Sequence, residues 1–179
     1  MREITLPIND ETISSLNMGD QLTVSGMLFT ARDAALGRIF GLVKAGEEPP
    51  FEFKGQAVFY AGPAPAKPGK IIGSIGPTTS GRMDSYSPFL IAKGLKVMIG
   101  KGDRSREVIE AIITHRGLYL AAIGGAAALM AKCVKSARQI AFYDLQTEAV
   151  WELVVERLPV VVAIDSSGKN IFTRPSIPL

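Results

Sequence analysis

Apolar and polar residues repeat along this chain with two different periods, and the period changes from one segment to the next. The stretch "QLTVSGMLFT" (21–30) alternates polar and apolar residues, which predicts a strand with one covered face. The following stretch "ARDAALGRIFGLVKAG" (31–46) places its apolar residues at helical spacing and ends at Gly46. The pattern therefore predicts short strands and helices in alternation.

The amino-terminal half is richer in strands and turns than the rest. "NDETISSLNMGD" predicts a helical turn that is capped by Asn9 or Asp10 and ends at Gly19. Breaks rich in proline and glycine separate the predicted strands "QAVFYAG" (56–62) and "KIIGSIGP" (70–77). A helix is predicted from Ser80 to Lys93, limited or kinked by Pro88.

The second half alternates more regularly. Strands are predicted at "LKVMIGKG", "LYLAAIGG", "RQIAFYD" and "PVVVAI", and helices at "SREVIEAIITHRG" and "AAALMAKCVKSA". A turn at "SSG" (166–168) predicts a hairpin after the last strand. This order is typical of crossover units with a parallel sheet. The expected fold is α/β, a sheet or partial barrel backed by helices, in a single domain over residues 1–179.

Composition sets the class of protein. The chain has 179 residues, of which 47% are hydrophobic and 21% charged, as in ordinary globular proteins. No apolar run approaches the roughly 20 residues that span a bilayer. The start, "MREITLPIND", lacks the apolar region of a secretory signal, so a cytoplasmic location without membrane attachment is expected.

The net charge and the single cysteine and histidine limit the kinds of site that this chain can form. Cys133 is the only cysteine, which excludes an internal disulfide and any metal site built on several thiolates of this chain. His115 is the only histidine, so sites rich in histidine are excluded too. The net charge of +3 favours anionic partners. A small anion fits at least as well as a nucleic acid, because the basic residues are scattered and few aromatic residues lie between them.

The stretch "GPTTSGRMD" gathers small donors and one arginine in a single turn. Gly76 and Pro77 end a predicted strand, and Thr78, Thr79 and Ser80 then lead into a helix start. The first N–H groups of a helix have no internal partner and attract a carboxylate or phosphate. Arg82 adds a planar group that can bind a carboxylate with two hydrogen bonds. The alternative is an ordinary helix cap in which Arg82 pairs with Asp84.

Two further segments carry cations directly after predicted strands. In "FTARDAALGR", Thr30 is the expected cap and Arg32 falls in the first helical turn, where a cation is unfavourable. Such a mismatch favours a functional role, and the alternative is a surface arginine paired with Asp33. In "MIGKGDRS", Lys101 lies between two glycines and can either enter a cleft or belong to a solvated turn.

Other residues favour structural roles. Gly124 and Gly125 allow either close approach to a ligand or tight helix packing, without the GxGxxG pattern of dinucleotide sites. His115 precedes Arg116 and Gly117 at a helix end, where a cation and a glycine are both typical of capping. Cys133 is expected to be a buried, inert thiol, and Trp151 a core or interface anchor.

Six segments occur together in one order. They are "GMLFTARDAA", "FYAGPAP", "GSIGPTTSGRMDSY", "GKGDRS", "YLAAIGGAAALMAKCV" and "EAVWELVVERLPVVVAIDSSGKNIF". In these the chain resembles the β subunit, or C-terminal domain, of class I iron–sulfur fumarases and L-tartrate dehydratases, over nearly its whole length. The resemblance implies a swivelling β/β/α domain and the reversible addition of water to a C4 dicarboxylate.

The resemblance also implies a cofactor and a partner. In that family a 4Fe-4S cluster, held by three cysteines of the α portion, binds the substrate hydroxyl and carboxylate. This chain has one cysteine and none of that portion. It is therefore expected to hold no cluster and no metal itself, and to pair with a separate α subunit in an α2β2-type assembly.

Site residues follow from the same resemblance. The substrate-binding arginines fall on Arg32 and Arg82, the lysine on Lys101 and the catalytic threonine on Thr78, with Gly76, Thr79 and Ser80 in the supporting turn. In the hypothesis, iron acts as a Lewis acid on the hydroxyl and Thr78 takes a proton from the carbon next to a carboxylate, whose charge the arginines stabilise.

Three departures from the family pattern stand out. Leu36 occupies a position where the family often has histidine, "GKGDRS" stands for forms similar to "AKGNRS", and "YDLQTEAVW" lacks an expected glycine. Fumarate or malate is the first substrate expectation, and tartrate is the alternative. A non-catalytic anion-binding module is the alternative from another class.

Overall fold

The computed structural model describes residues 1–122 and 127–173, and its strands form one continuous sheet. The strands are β1 (Arg2–Leu6), β2 (Gln21–Thr30), β3 (Ala57–Phe59), β4 (Val97–Gly100), β5 (Leu118–Ala122), β6 (Val134–Ala141) and β7 (Val150–Ile164). The helices are α1 (Asp10–Ser14), α2 (Asp33–Lys44), α3 (Ser87–Ala92), α4 (Arg106–His115) and α5 (Ala127–Cys133). Two 3-10 helices cover Ser80–Met83 and Tyr143–Glu148.

Strand β7 closes the sheet into a five-stranded barrel. Strands β2, β3, β4 and β5 lie side by side in parallel, and β7 pairs antiparallel with both β2 and β5. Strand β1 extends the sheet beside β2, and β6 extends it beside β7. The predicted α/β fold, a sheet or partial barrel backed by helices, is confirmed, and the sheet is mixed because β7 is antiparallel to its neighbours.

Two apolar layers bury the barrel strands on both faces. On β3 and β4, Phe59 and Ile99 belong to the cluster inside the barrel, whereas Val58 and Met98 belong to the cluster under the helices. Successive side chains of a strand point to opposite faces, so a strand covered on both sides needs apolar residues throughout. This explains the uninterrupted apolar runs of these two strands.

The amino-terminal predictions hold in part. Helix α1 is capped by Asn9, whose side chain accepts a hydrogen bond from the Thr12 N–H at 2.8 Å. The helix ends at Ser14, earlier than the predicted Gly19. Further on, the predicted helix over 80–93 is divided, and Pro88 lies in the first turn of α3, where its missing N–H costs nothing.

The strand prediction at 70–77 is wrong. This segment folds back on residues 63–65 as an irregular loop, with a hydrogen bond from the Gly73 N–H to the Ala64 carbonyl at 3.1 Å. A Cβ on Gly73 would lie 2.3 Å from the Ala64 oxygen, so only glycine permits this approach. The segment "KIIGSIGP" does not form a strand, because Gly73 allows it to pack closely on the Ala64 backbone instead.

The region after α5 also differs from the prediction. The helix ends at Cys133, and β6 begins directly at Val134, so residues 134–137 belong to the strand and not to the helix. Pairing with β7 over Val134–Ala141 accounts for the change, because ladder hydrogen bonds replace those of a continued helix. The predicted turn at 166–168 is confirmed by the hydrogen bond from the Gly168 N–H to the Asp165 carbonyl.

Gln146 has a backbone conformation that normally requires glycine. It lies in the 3-10 helix Tyr143–Glu148 with φ 52° and ψ −112°. This residue belongs to "YDLQTEAVW", the segment in which the family resemblance leads one to expect glycine. A side chain in this region is strained, whereas glycine is not.

Replacing Gln146 by glycine is expected to stabilise the chain by about 1 kcal/mol, because the relieved strain exceeds the entropy that glycine loses on folding. Urea unfolding measures the change. The matched control is Gln139→Gly in β6, where glycine lowers stability by about 0.5–1 kcal/mol. A destabilised Gln146→Gly variant would contradict the assigned backbone conformation.

Asp165 organises the turn that follows β7. Asp165 is 2% exposed, and its carboxylate accepts hydrogen bonds from the Met18 N–H at 3.0 Å, the Ser167 N–H at 2.9 Å and the Ser167 hydroxyl at 2.6 Å. Burial by itself raises the pKa of Asp165, but these hydrogen bonds outweigh burial and lower the pKa below its ordinary value.

A carboxylate with a lowered pKa stabilises the folded chain above its unfolded pKa, and this stability is lost as pH falls through the folded pKa. Asp165→Asn is therefore expected to lower the free energy of unfolding at pH 7 by about 1.5–3 kcal/mol. The deficit against the parent chain should shrink in acid. Urea unfolding at pH 7 and in acid measures this deficit. Glu47→Gln, at an exposed residue, is the control. A deficit independent of pH would disprove the assignment.

Candidate active site

The predicted cations lie at one end of the barrel. Parallel strands have their carboxyl ends at the same edge of a sheet, and ligand sites of α/β proteins form there. Arg32 follows β2 by two residues, and Lys101 follows β4 directly. Gly62 follows β3, which lies between these two strands. The topology thus places all three loops side by side.

The turn with Thr78 lies across the ends of β3 and β4. The Thr78 N–H donates to the Tyr60 carbonyl at 2.7 Å, and the Lys101 N–H donates to the Thr78 carbonyl at 3.3 Å. The Ser80 N–H donates to the Lys101 carbonyl at 2.9 Å. Backbone hydrogen bonds therefore bring Thr78 and Lys101 together. These bonds occupy the N–H groups of Thr78 and Ser80, which were expected from the sequence to be available to an anion.

The supporting residues hold this turn in place. Ser80 is buried, and its Oγ lies 2.9 Å from the Tyr119 hydroxyl. A Cβ on Gly100 would lie 1.9 Å from the same Oγ, so Ser80 needs glycine at that position. Gly76 approaches Ala127, where a Cβ would come within 3.1 Å of the Ala127 Cβ. The side chain of Thr79, in contrast, is exposed.

The two predicted arginines meet at one carboxylate. Arg82 Nη2 donates to Asp33 Oδ2, and Arg32 Nε lies 4.0 Å from Asp33 Oδ1. The alternative in which Arg82 pairs with Asp84 is therefore wrong. Residues 32 and 82 come from different loops, so this meeting is a product of the tertiary structure.

Arg32 itself has a different role in α2 from the one predicted. It is the N-cap residue, and its side chain makes no capping hydrogen bond. Thr30, the predicted cap, accepts a hydrogen bond from the Trp151 N–H at 3.3 Å across the sheet instead. The Arg32 guanidinium lies 3.0 Å from Glu148 Oε1, measured from Nη2.

Unused polar atoms remain between the arginines. Arg32 Nε and Asp33 Oδ1 are buried, and neither has a hydrogen-bond partner among the described residues. Arg82 is 52% exposed, so its remaining donors face the solvent. Buried donors normally have partners, and an unpartnered one at a candidate site is a place where a ligand atom can bind.

A buried arginine that sequence reasoning missed anchors the same region. The Arg104 side chain is fully buried; its Nε donates to Asp84 Oδ1 at 2.7 Å and its Nη2 to Ser87 Oγ at 2.8 Å. Asp84 Oδ2 also accepts the Ser105 N–H at 2.6 Å. The Arg104–Asp84 pair therefore links the segment "GRMD" to the segment "GKGDRS". The available signal in the sequence was that Asp84 and Arg104 carry opposite charges and belong to these two motifs.

Two aromatic rings enclose this arginine. The Arg104 guanidinium lies 5.3 Å from the Tyr60 ring centre and 4.9 Å from that of Tyr119. Burial raises the pKa of Tyr119 to about 12, so its hydroxyl stays neutral beside Ser80. Burial by itself lowers the pKa of Arg104, but the surrounding groups raise it overall, so the arginine stays charged.

The other sequence candidates lie away from these residues. Leu36, at the position where the family often has histidine, is fully buried in the core. His115 is the last residue of α4, at the opposite end of the barrel, and the C-cap is Arg116 in the left-handed conformation. Cys133 is half-buried, less than expected, and burial raises its pKa, which makes it unreactive. Trp151 is partly buried in β7, and Gly124 and Gly125 lie outside the described residues.

Three cavities in the described part of the chain lie outside the candidate site. Three cavities of about 770, 520 and 250 Å³ are lined by other residues and by none of Arg32, Thr78, Arg82 and Lys101. Residues 1–122 and 127–173 hold no group of three or more His, Cys, Asp or Glu arranged for a metal ion. Over these ranges no helix has the length and apolarity to cross a membrane.

Comparison with known proteins identifies relatives of two lengths. A family model described as Fumarase C-terminus matches residues 1–175. The class I anaerobic fumarate hydratase of Escherichia coli is 37% identical over 96% of the chain, and fumarate hydratase 2 of Leishmania major is 38% identical over 92%. The chain spans only 31% and 29% of these two proteins.

A third relative has almost the same length as this chain. It is a Methanocaldococcus jannaschii protein with the provisional name L(+)-tartrate dehydratase subunit beta. It is 36% identical over 92% of the chain, and the match covers 88% of that protein.

Removal of one partner of the Arg104–Asp84 pair should strongly destabilise the chain. Asp84→Asn leaves the buried guanidinium without a counter-charge, and loss of one partner of a buried pair costs about 3–5 kcal/mol. Urea unfolding measures this loss. Glu110→Gln is the matched control, because it removes the carboxylate of the exposed Arg106–Glu110 pair and should change nothing measurable. Equal stability of both variants would contradict the anchoring role.

Proposed function

Because the chain belongs to the Fumarase C-terminus family, we propose that it is the β subunit of an iron–sulfur hydro-lyase. The reaction is the reversible hydration of a C4 dicarboxylate, with fumarate and malate as the first candidates. This chain supplies the cationic half of the active site, and an α subunit supplies the rest.

The meeting of Arg32 and Arg82 at Asp33 carries this proposal. A dicarboxylate needs two cationic groups at a fixed separation, and each charged hydrogen bond contributes about 1.5–3 kcal/mol. Arg32 offers a buried Nε without a partner among the described residues, and Arg82 offers exposed donors. In the proposal one substrate carboxylate binds at this arginine pair, and the exposed Lys101 binds the other.

Thr78 is the proposed proton acceptor. It is fixed by backbone hydrogen bonds to Tyr60 and Lys101, so its position relative to the lysine does not depend on substrate. A hydroxyl is a weak base at its ordinary acidity and needs neighbouring cations to take a proton. Lys101, whose backbone N–H contacts the Thr78 carbonyl, is the cation proposed for this role. Thr78 would take the proton from the carbon next to the bound carboxylate.

The cluster belongs to the partner in this proposal. A 4Fe-4S cluster is held by several cysteine thiolates, and this chain has one cysteine, with a raised pKa. The donor set therefore does not fit the cluster. The longer relatives contain about three times the matched length, which is room for such a portion in one chain. The open face at Arg82 and Lys101 is where an α subunit would close the site, in an α2β2-type assembly in the cytoplasm.

Tartrate is the second candidate substrate. The Methanocaldococcus jannaschii relative, which matches this chain over 88% of its length, carries the name of a tartrate dehydratase subunit. Fumarate, malate and tartrate share the two carboxylates that the arginines and the lysine would bind. Assays of the reconstituted pair on all three compounds decide between the substrates.

The proposal predicts different kinetic effects for the two kinds of residue. In the complex with its α subunit, Arg32→Met and Arg82→Met should raise KM about 10–100-fold, which corresponds to the loss of one charged hydrogen bond. Thr78→Ala should lower kcat about 100-fold or more with KM nearly unchanged. Steady-state hydration of fumarate and dehydration of malate measure both effects.

Arg138→Met is the control for these variants, because Arg138 is an exposed arginine on β6. It should behave as the parent chain. If Thr78→Ala keeps full turnover, Thr78 is not the base. If the complex, with its cluster intact, hydrates or dehydrates none of the three compounds, the enzymatic function is wrong, and an anion-binding module becomes the better explanation.

A further inference from the structure

A carboxylate from a distant segment contacts the arginine of the candidate site. Glu148, two residues before the start of β7, places Oε1 3.0 Å from Arg32 Nη2. The two side chains are 27% and 23% exposed, so the pair is largely shielded from solvent. Arg32 caps a helix start, where the dipole disfavours a cation, and a carboxylate at this distance offsets that effect.

Arg32 is confined on a second side by Gly62. A Cβ on Gly62 would lie 3.2 Å from Arg32 Cδ and 3.3 Å from Nη1, so the side chain uses the space that glycine leaves. The same Cβ would lie 2.6 Å from the carbonyl oxygen of Thr147, the residue before Glu148. Gly62 thus allows the guanidinium and the segment with Glu148 to approach each other.

The backbone that presents Glu148 is strained. Gln146, two residues earlier, has φ 52° and ψ −112°, a conformation that costs a side-chain-bearing residue free energy. Such strain persists where the surrounding structure requires it, and it occurs often at functional sites. Here the strained turn directs Thr147 to Gly62 and Glu148 to Arg32.

We infer that Glu148 is a positioning residue that holds the Arg32 guanidinium in the orientation required for binding a substrate carboxylate. Glu148 contacts Nη2, and Nε is left without a partner among the described residues, so a donor remains for a ligand. Glu148 itself does not touch substrate. This inference rests on the proposed function, because it assigns Glu148 a role in the same site.

Kinetics of three variants in the complex with the α subunit test this role. Glu148→Ala frees the guanidinium, and KM for fumarate is expected to rise about tenfold while kcat changes little, because a misplaced binding group weakens substrate binding. Glu148→Gln keeps an oxygen acceptor and should restore much of the parent KM. The matched control is Glu152→Ala, since Glu152 forms a similar pair with Arg138 at 3.1 Å and is 25% exposed.

A competing carboxylate would produce the opposite result. If Glu148 only blocked the guanidinium donors of Arg32 that substrate needs, Glu148→Ala and Glu148→Gln would both lower KM. A lowered or unchanged KM in Glu148→Ala, or a Glu148→Gln variant no better than Glu148→Ala, overturns the inference.

Side-chain NMR of the chain alone gives a readout that does not need activity. The ¹⁵N relaxation of Arg32 Nε should indicate restricted motion in the parent chain and in Glu152→Ala. In Glu148→Ala it should approach that of Arg157, whose side chain is exposed. Unchanged restriction in Glu148→Ala overturns the inference. An inactive parent complex would refute the proposed function only, because the relaxation measurement still decides whether Glu148 positions Arg32.

Discussion

The buried ion pair between Arg104 and Asp84 is the contact on which the candidate site depends. Asp84 follows the turn with Thr78 and Arg82, and Arg104 follows the loop with Lys101, so the pair fixes the two loops to each other. Its net contribution to stability is small in principle, because two charges must be desolvated. Its consequence is geometric: the loops have one arrangement in which both buried charges are satisfied, with Ser87, Ser105 and two tyrosine rings around them.

Carboxylates of the chain also hold the two arginines at this end of the barrel. Asp33 joins Arg82 to Arg32, and Glu148 contacts Arg32 from the segment before β7. Two arginines and two carboxylates therefore nearly balance in charge. The proposed site relies on oriented donors more than on a strong positive potential, and the exposed Lys101 adds one positive charge. Such preorganisation suits a substrate with two fixed carboxylates.

Local pattern predicted the helices α2 and α4 and most barrel strands, since these segments have clear periodicity and recognisable ends. It failed at 70–77, where Gly73 packs on the Ala64 backbone, and at 134–137, where pairing with β7 outweighs helical pattern. The segments of Arg32, Thr78, Arg82 and Lys101 were recognisable from local pattern, and the roles of these four residues came from motif resemblance. Arg104 and Glu148 were missed, because a salt bridge between distant segments leaves no periodic signal.

The sequence by itself determined the class of fold, the absence of a multi-thiolate metal site and the segments that carry the charged and hydroxyl groups. These follow from composition and from spacing within short windows, which depend only on neighbouring residues. Tertiary structure alone decided that β7 closes the barrel, that Arg82 reaches Asp33, and that Glu148 reaches Arg32. Each of these contacts joins residues far apart in the chain, and only the packing of the whole barrel sets their distance.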